Sequence, residues 1–348
     1  MSRLSVFFQR IYYYEYWPLW VFYLPALFYW LILGIKARSL LYFTSINRCM
    51  NFGGAFLSSK YGYLKYLPKE NVPVSCVVNR HMPLTEIIKQ LKIHHMDYPI
   101  IVKPDIGERG KSVSKIQNEQ QLSQYFKEVP YQTFILQEYI DYPIEIGILY
   151  YKDIDGKGNI TSIGLKKFCT IQGDGQLTLG KLVLKNPRIS RRKKQIEKRF
   201  KNRWNQVLKR GEKIIVEPIG NHNLGTTFLN GNHLYSDQMM QWIDQKASMI
   251  PNFDYGRFDL RINSWNSFKN DEGIKILEIN GVNSEPIHIY SPKFGLVNAY
   301  KEIFKHMRII HRLSVHQIKH SPPVSINSFV QGIIDFRNKK EQHNIIKA

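Results

Sequence analysis

Two runs of alternating apolar and polar residues, Tyr255 to Asn263 and Ile274 to Asn280, flank a polar turn region at Asn266 to Gly273 and predict a β-hairpin. Side chains two apart on a strand share a face, so Glu278 and Asn280 point one way, with Leu277 and Ile279 opposite. Further strands are predicted at Val72–Val78, Tyr98–Pro104, Thr133–Tyr139, Ile144–Tyr151, Ile160–Thr170 and Glu212–Pro218. Helical spacing marks Leu84–Lys92, Asn118–Val129 capped by Asn118, Ser236–Ile250 capped by Ser236, and Leu296–Lys319. Ser321-Pro322-Pro323 ends the last helix, and residues after Arg337 read as a frayed tail.

Tyr16 to Ile35 carries no charged residue and is rich in Trp and Tyr. A bilayer span needs about 20 such residues. Pro18 and Pro25 interrupt the run, so three readings stand: a transmembrane helix, an in-plane or re-entrant anchor, and a buried helix. No small-residue cleavage site closes it as in a signal peptide. Arg3 and Arg10 precede the run, and Lys36, Arg38 and Arg48 follow it, so flanking charge leaves its orientation open.

Composition narrows the class. The chain has 348 residues, 43% hydrophobic, with 22 Gly and 16 Pro, which is globular and large enough for two or three subdomains. A net charge of +21 suits phosphate-rich partners. Cys49, Cys76 and Cys169 are scattered, form no metal-ligand spacing or disulfide framework, and fit a reducing compartment. Residues 186 to 213 are dense in Lys and Arg, with only Glu197 and Glu212 as acids within the run. The run reads either as a solvated helix face or as a contact for anionic lipid or another polyanion. Phe200 and Trp204 are its only aromatics, fewer than the interleaved set of a nucleic-acid stacking platform.

Candidate chemistry gathers at three places. Asp259 can join Glu278 and Asn280 across the hairpin, giving hard oxygen donors that suit Mg²⁺; the alternative is an acidic surface hairpin. A β-branched strand delivers Lys103 to a loop with Gly107 and Gly110, whose backbone N–H groups could turn toward an anion. Gly110-Lys111-Ser112 resembles a P-loop ending, but position 105 is Asp rather than Gly and no helix pattern follows. Glu138 and Glu145 are carboxylates set in apolar runs, where pairing or function is expected. His316 and His320, with His306 and His311, read as a basic helix face rather than a zinc site.

These residues carry a family pattern. The order Lys103, Gly loop, Glu138, Glu145, Arg257-Phe258-Asp259, Glu278-Ile279-Asn280 resembles the ATP-grasp superfamily of carboxylate–amine ligases. The loop Gly107 to Val113, Gly173-Asp174-Gly175 with Thr178, Asn186-Pro187-Arg188 and Asn223-Leu224-Gly225-Thr226 look most like cyanophycin synthetases and the ATP-grasp half of bifunctional glutathione synthetases. The Arg-x-Asp and Glu-x-Asn pairs are shared with D-alanine–D-alanine ligases, and Lys60 is similar in placement to their first phosphate-binding lysine.

The resemblance implies an α+β ATP-grasp fold, two subdomains clasping ATP, with a membrane-like segment ahead of it. Lys60 and Lys103 would hold phosphates, and the loop through Gly107, Gly110, Lys111 and Ser112 would close over them with its backbone N–H groups. Glu138 and the main chain at Tyr139 and Ile140 would read adenine, and Glu145 the ribose. Asp259, Glu278 and Asn280 would hold Mg²⁺, two ions by analogy, with Mn²⁺ as a substitute. Arg257 would stabilise the oxyanion formed when an amine displaces phosphate from an acyl phosphate. Two departures stand out. The substantial first domain of D-alanine–D-alanine ligases is replaced by the apolar segment, and Gly281 to Pro286 replaces their Ser-Pro-Gly turn. The acceptor pocket is therefore expected to differ.

The expected organisation is a membrane-associated segment (1–45), a lead-in (46–97), a nucleotide clamp (98–150), a large subdomain with a basic insert at 185–213 (151–312) and a tail (313–348). The expected activity is ATP-dependent ligation of small carboxylate and amine substrates, amino acids or peptides with a lipid-linked acceptor among the options, at the cytoplasmic face of a membrane. The competing expectation is a non-catalytic nucleotide-binding or polybasic membrane module on the same scaffold.

Overall fold

The computed structural model describes residues 14–107, 110, 112–129, 131–186 and 188–341. Glu108, Arg109, Lys111 and Pro187, and Arg3 and Arg10 before them, lie outside the described residues. The architecture is α+β, with antiparallel sheets.

The smaller sheet has the order β1-β4-β2-β3, built from β1 (Ser75–Asn79), β2 (Ile100–Pro104), β3 (Ser114–Ile116) and β4 (Thr133–Glu138). Alternation sorts its side chains. Ile100 and Val102 of β2, with Phe134 and Leu136 of β4, pack against Ile87 and Leu122 of two covering helices. Ile101, Lys103 and Gln137 are thereby left to the opposite face. Asn118 caps the second of these helices as expected, accepting from the Gln121 N–H at 3.0 Å. This sheet takes β1 from the expected lead-in and ends at Glu138, and Ile144–Lys152, most of which the expected clamp included, belongs to the larger sheet.

The larger sheet has the order β11-β10-β5-β6-β9, from β5 (Ile144–Lys152), β6 (Gly158–Lys167), β9 (Thr227–Asn230), β10 (Tyr255–Ile262) and β11 (Ile274–Asn280). One face presents Ile146, Ile148, Phe258, Leu260, Ile276 and Ile279 to the helix Asp237–Ser248, which Ser236 caps through the Met239 N–H at 3.2 Å. The strands are covered on both sides, so the residues of the second face are also buried. Part of that second face, Leu149 and Tyr255, lies under α8 (Leu296–Gln317) through Ile309 and Leu313. The remainder, Glu145, Lys166, Arg257, Asp259 and Arg261, faces the smaller sheet.

The single strand expected at Ile160–Thr170 divides at Phe168. β7 (Cys169–Gln172) leaves the large sheet to pair with β8 (Lys213–Glu217). The basic segment folds onto this ribbon through Ile189, Ile196 and Leu208. Four of its cations meet acids outside the run: Arg192 and Arg199 meet buried Glu217, Arg188 meets Glu15 and Lys198 meets Glu128, while Arg203 meets Glu212 within it. The acids within the run alone therefore do not measure how many of its cations are paired.

Among the described residues no helix is long and apolar enough to cross a membrane. The N-terminal run forms a helical turn at Leu19–Phe22, breaks at Tyr23, and continues as α1 (Leu24–Lys36) of 13 residues. That helix is about 20 Å long, against a hydrocarbon core of about 30 Å. α1 lies against α8, with Phe22 stacked on Tyr300 and Tyr29 beside Phe304. The region expected to be a tail also carries structure. α9 (Ile326–Glu341) packs Phe329 against Phe43, Phe52 and Phe56.

Candidate active site

A cleft of about 500 Å³ separates the two sheets. It is lined by Lys60, Lys103, Gly107, Gly110, Glu138, Tyr139, Ile140, Glu145, Arg257, Asp259, Glu278 and Asn280, all selected from the sequence. Ser112 does not line it. Its carbonyl accepts from the Tyr125 hydroxyl, tying the loop back to its own subdomain. The loop reaches across to the opposite wall at Gly110, where a Cβ would lie 2.8 Å from the Asn221 amide nitrogen.

The hairpin pairs Asp259 with Glu278 and Arg257 with Asn280. A bulge follows Asp259, and Leu277 is its extra residue. Strict alternation placed Leu277 with Ile279. The bulge instead separates them: Ile279 enters the core, Leu277 lines the cleft, and its carbonyl accepts from Lys103 Nζ at 3.2 Å.

Lys103 is buried and also donates to Gln137 at 2.9 Å. Burial, with Lys60 nearby, pulls its ammonium down to about 8, and the carboxylates of Glu278, Asp105 and Asp259 offset only part of that. Lys60 stands 3.5 Å from Glu278. Its position is set by Asp105, the residue that disqualified the P-loop. Asp105 accepts from the Ser59 hydroxyl at 2.8 Å and from the Tyr61 N–H at 3.2 Å, fixing the first turn of α2 (Lys60–Leu64). Glycines lock the other end of this segment. Gly53-Gly54 abuts Gly281 so closely that a Cβ on Gly281 would lie 2.5 Å from the Gly53 carbonyl oxygen.

Asp259 is the electrostatic hub. Lys166 Nζ is 3.0 Å away, Arg257 Nε 3.2 Å and the Asn280 amide 3.2 Å. Burial alone would raise its carboxyl, but Arg257 and Lys166 outweigh burial and hold it below the usual range. Burial likewise opposes the Lys166 charge, and Asp259 with Glu145 more than compensates. Glu145 is engaged on both oxygens, by Lys166 at 3.2 Å and by Arg261 at 3.0 Å. Arg261 also donates to the carbonyls of Ile140 and Pro218 and lies 5.2 Å from the Tyr139 ring centre. Glu138 accepts from the Val74 N–H at 3.1 Å.

Lys166 and Arg261 were not selected from the sequence. Arg257, Asp259 and Arg261 share a face by strand period, which was the available signal for Arg261. Lys166 follows Leu165 in an ordinary alternating strand, and nothing local distinguishes it.

The donor set suits a divalent cation shared with phosphates, because Asp259, Glu278 and the Asn280 amide offer only oxygens for a hard ion. Among the described residues no three His, Cys, Asp or Glu side chains gather as a self-sufficient metal cluster. Gly147 and Gly164, opposite each other in register, leave room for Ile287 beneath the cleft. At the cleft's far end stand His222, Glu285 and Tyr290, whose hydroxyl donates to Glu285 at 2.9 Å. Glu15 closes this end, bound to Arg188 at 2.9 Å and to His222 at 3.1 Å.

No protein-family model matches the chain. No curated protein matches it. Solved structures do show distant likenesses. D-alanine–D-alanine ligase from Bacillus anthracis is 12% identical over 75% of this chain and 68% of that one, with a TM-score of 0.43. VanG D-Ala:D-Ser ligase from Enterococcus faecalis is 13% identical over 74% and 61%, with a TM-score of 0.43. A bifunctional glutathione synthetase from Pasteurella multocida is 14% identical over 71% and 36%, with a TM-score of 0.38. The chain thus spans less than two thirds of the length of the latter two. Likenesses this distant leave the chemistry to be argued from the cleft itself.

Proposed function

We propose that the chain is an ATP-dependent ligase of the ATP-grasp type that joins a carboxylate to an amine. One observation carries this reading. A single cleft brings two lysines, Lys103 from the smaller sheet and Lys60 from α2, opposite Asp259, Glu278, Asn280 and Arg257 on the larger sheet.

Lys60 and Lys103 hold the ATP phosphates as point charges, and the loop around Gly107 and Gly110 covers them. The adenine end lies against Glu138 to Ile140. Glu145 orients Lys166 and Arg261 along this wall, a role the geometry favours over a direct ribose contact. Mg²⁺, bound by Asp259, Glu278 and Asn280, would neutralise charge on the phosphates. A substrate carboxylate oxygen attacks the γ-phosphorus, the bond to ADP breaks, and an acyl phosphate forms. An amine lone pair then attacks the acyl carbon. The tetrahedral oxyanion collapses with loss of phosphate, and the amine proton passes to solvent. Arg257, held by Asp259 and by the Glu285 carbonyl at 3.3 Å, faces the developing oxyanion. Amino acids or peptides are the substrate class that fits this chemistry.

The test is release of ADP and phosphate by purified protein across pairs of amino acids and peptides. Turnover that needs both substrates and disappears in Glu278→Gln supports the reading. Nucleotide binding without turnover on any pair would favour a non-catalytic nucleotide-binding module instead.

A further inference from the structure

α1 is apolar on both sides, yet only one side is covered. Phe22 and Ala26 pack on α8, whereas Trp20, Leu24, Leu27, Phe28, Leu31 and Ile35 face outward. Leu24, Leu27, Phe28, Leu31 and Ile35 fall at helical spacing on one face of α1, Trp20 precedes them in the turn ahead of the helix, and Trp20, Phe28 and Ile35 are 74%, 60% and 75% exposed. A contiguous apolar ridge of this kind marks an interaction surface.

The helix beneath supplies the matching charge. α1 runs parallel to α8: Phe22 stacks on Tyr300, Tyr29 meets Phe304, and Lys36 lies close enough to His311 to depress its proton affinity, after burial. The core side of α8 holds Ile303, His306, Ile309 and Leu313. Its free side carries Lys301, Lys305, Arg308 and Arg312, all exposed at helical spacing, and Lys319 follows in the turn after the helix. Lys36 and Arg38 extend the charge at the end of α1. No acid occurs from Tyr16 to Lys69, and α8 contains only Glu302. An apolar ridge beside a basic stripe, with Trp among the apolar residues, matches an anionic bilayer surface. A second copy of the chain would instead set like charges against each other.

We propose that the outer face of α1 and the basic stripe of α8 dock the protein in-plane on an anionic lipid bilayer. The apolar ridge enters the headgroup boundary and the lysines and arginines engage lipid phosphates. The segment leading into α1 lines the cleft through Glu15, Trp17 and Leu19, so docking sets the end of the cleft that Glu15 closes beside the membrane.

The experiment is co-sedimentation of the full chain, without nucleotide, with vesicles of phosphatidylcholine alone or mixed with phosphatidylglycerol. Binding is expected to the mixed vesicles and to weaken with salt. The double variant Leu27→Glu/Phe28→Glu should bind about tenfold or more weakly. The charge reversal Lys301→Glu/Arg308→Glu/Arg312→Glu should abolish the preference for anionic lipid. Both variants should keep the wild-type thermal melt and oligomeric state. No vesicle binding by the wild type, binding indifferent to both variants, or a wild-type dimer that Leu27→Glu/Phe28→Glu converts to monomer would overturn the proposal. Because nucleotide is absent, failure of the ligase reading leaves this result unaffected.

Discussion

Lys103 shows how a cation is held in the cleft at a cost to the fold. Its ammonium sits in a buried position and loses its proton at about 8 rather than the ordinary 10.5. Between those values the unfolded chain carries the proton and the folded chain does not, so this group's contribution to stability rises with pH through that window. Nucleotide affinity should move the opposite way, weakening as pH rises through about 8 and the phosphates lose a cation. Lys103→Met should abolish ATP binding while raising Tm at neutral pH, read by calorimetry. A lower Tm would show that the Gln137 and Leu277 bonds outweigh the burial. Asp259 presents the reverse case. It balances Lys166 and Arg257, so Asp259→Asn removes one partner of a buried cluster and should cost about 3–5 kcal/mol of stability. Glu278→Gln lies at a more open position and should lower Tm less than Asp259→Asn does, through the loss of its charge beside buried Lys60 and Lys103. Equal melts for the two variants would remove Asp259 from its place as hub.

At the scale of elements, the site depends on where backbones touch. Gly54 and Gly281 allow the segment before α2 to meet the end of β11, and the Val282 N–H donates to the Gly53 carbonyl at 3.0 Å. Gly281→Ala should cost about 1–3 kcal/mol through overpacking and should weaken ATP binding through Lys60, although residue 281 itself does not line the main cleft. Wild-type affinity in that variant would separate Lys60 placement from this contact. Local pattern reached far here. β10, β11 and the caps at Asn118 and Ser236 follow from alternation and from short polar side chains ahead of helices. The bulge at Leu277 was not legible, because one inserted residue leaves the apolar pattern nearly intact while exchanging faces. Lys166 was hidden for a related reason. Its meaning comes from Asp259 and Glu145, which are distant in sequence. The course of the basic segment was equally unreadable, since Glu15, Glu128 and Glu217 lie outside it.

For the molecule as a whole, two sheets converge on one cleft, and a third, smaller ribbon carries the basic segment at its edge. The apolar N-terminal run completes the far end of that cleft and leaves one face of α1 open. Its aromatic residues find their partners on α8, more than 250 positions later, which explains why sequence spacing alone left spanning, in-plane and buried readings standing. On the reading proposed for the cleft, the convergence of the sheets creates a site for Mg²⁺–ATP. Isothermal titration of a non-hydrolysable ATP analogue, with and without Mg²⁺, tests it most directly. The account predicts saturable, one-to-one binding that strengthens with Mg²⁺, is lost in Lys103→Met, and loses its Mg²⁺ dependence in Glu278→Gln. No binding at millimolar analogue and Mg²⁺, or binding indifferent to both substitutions, would contradict it.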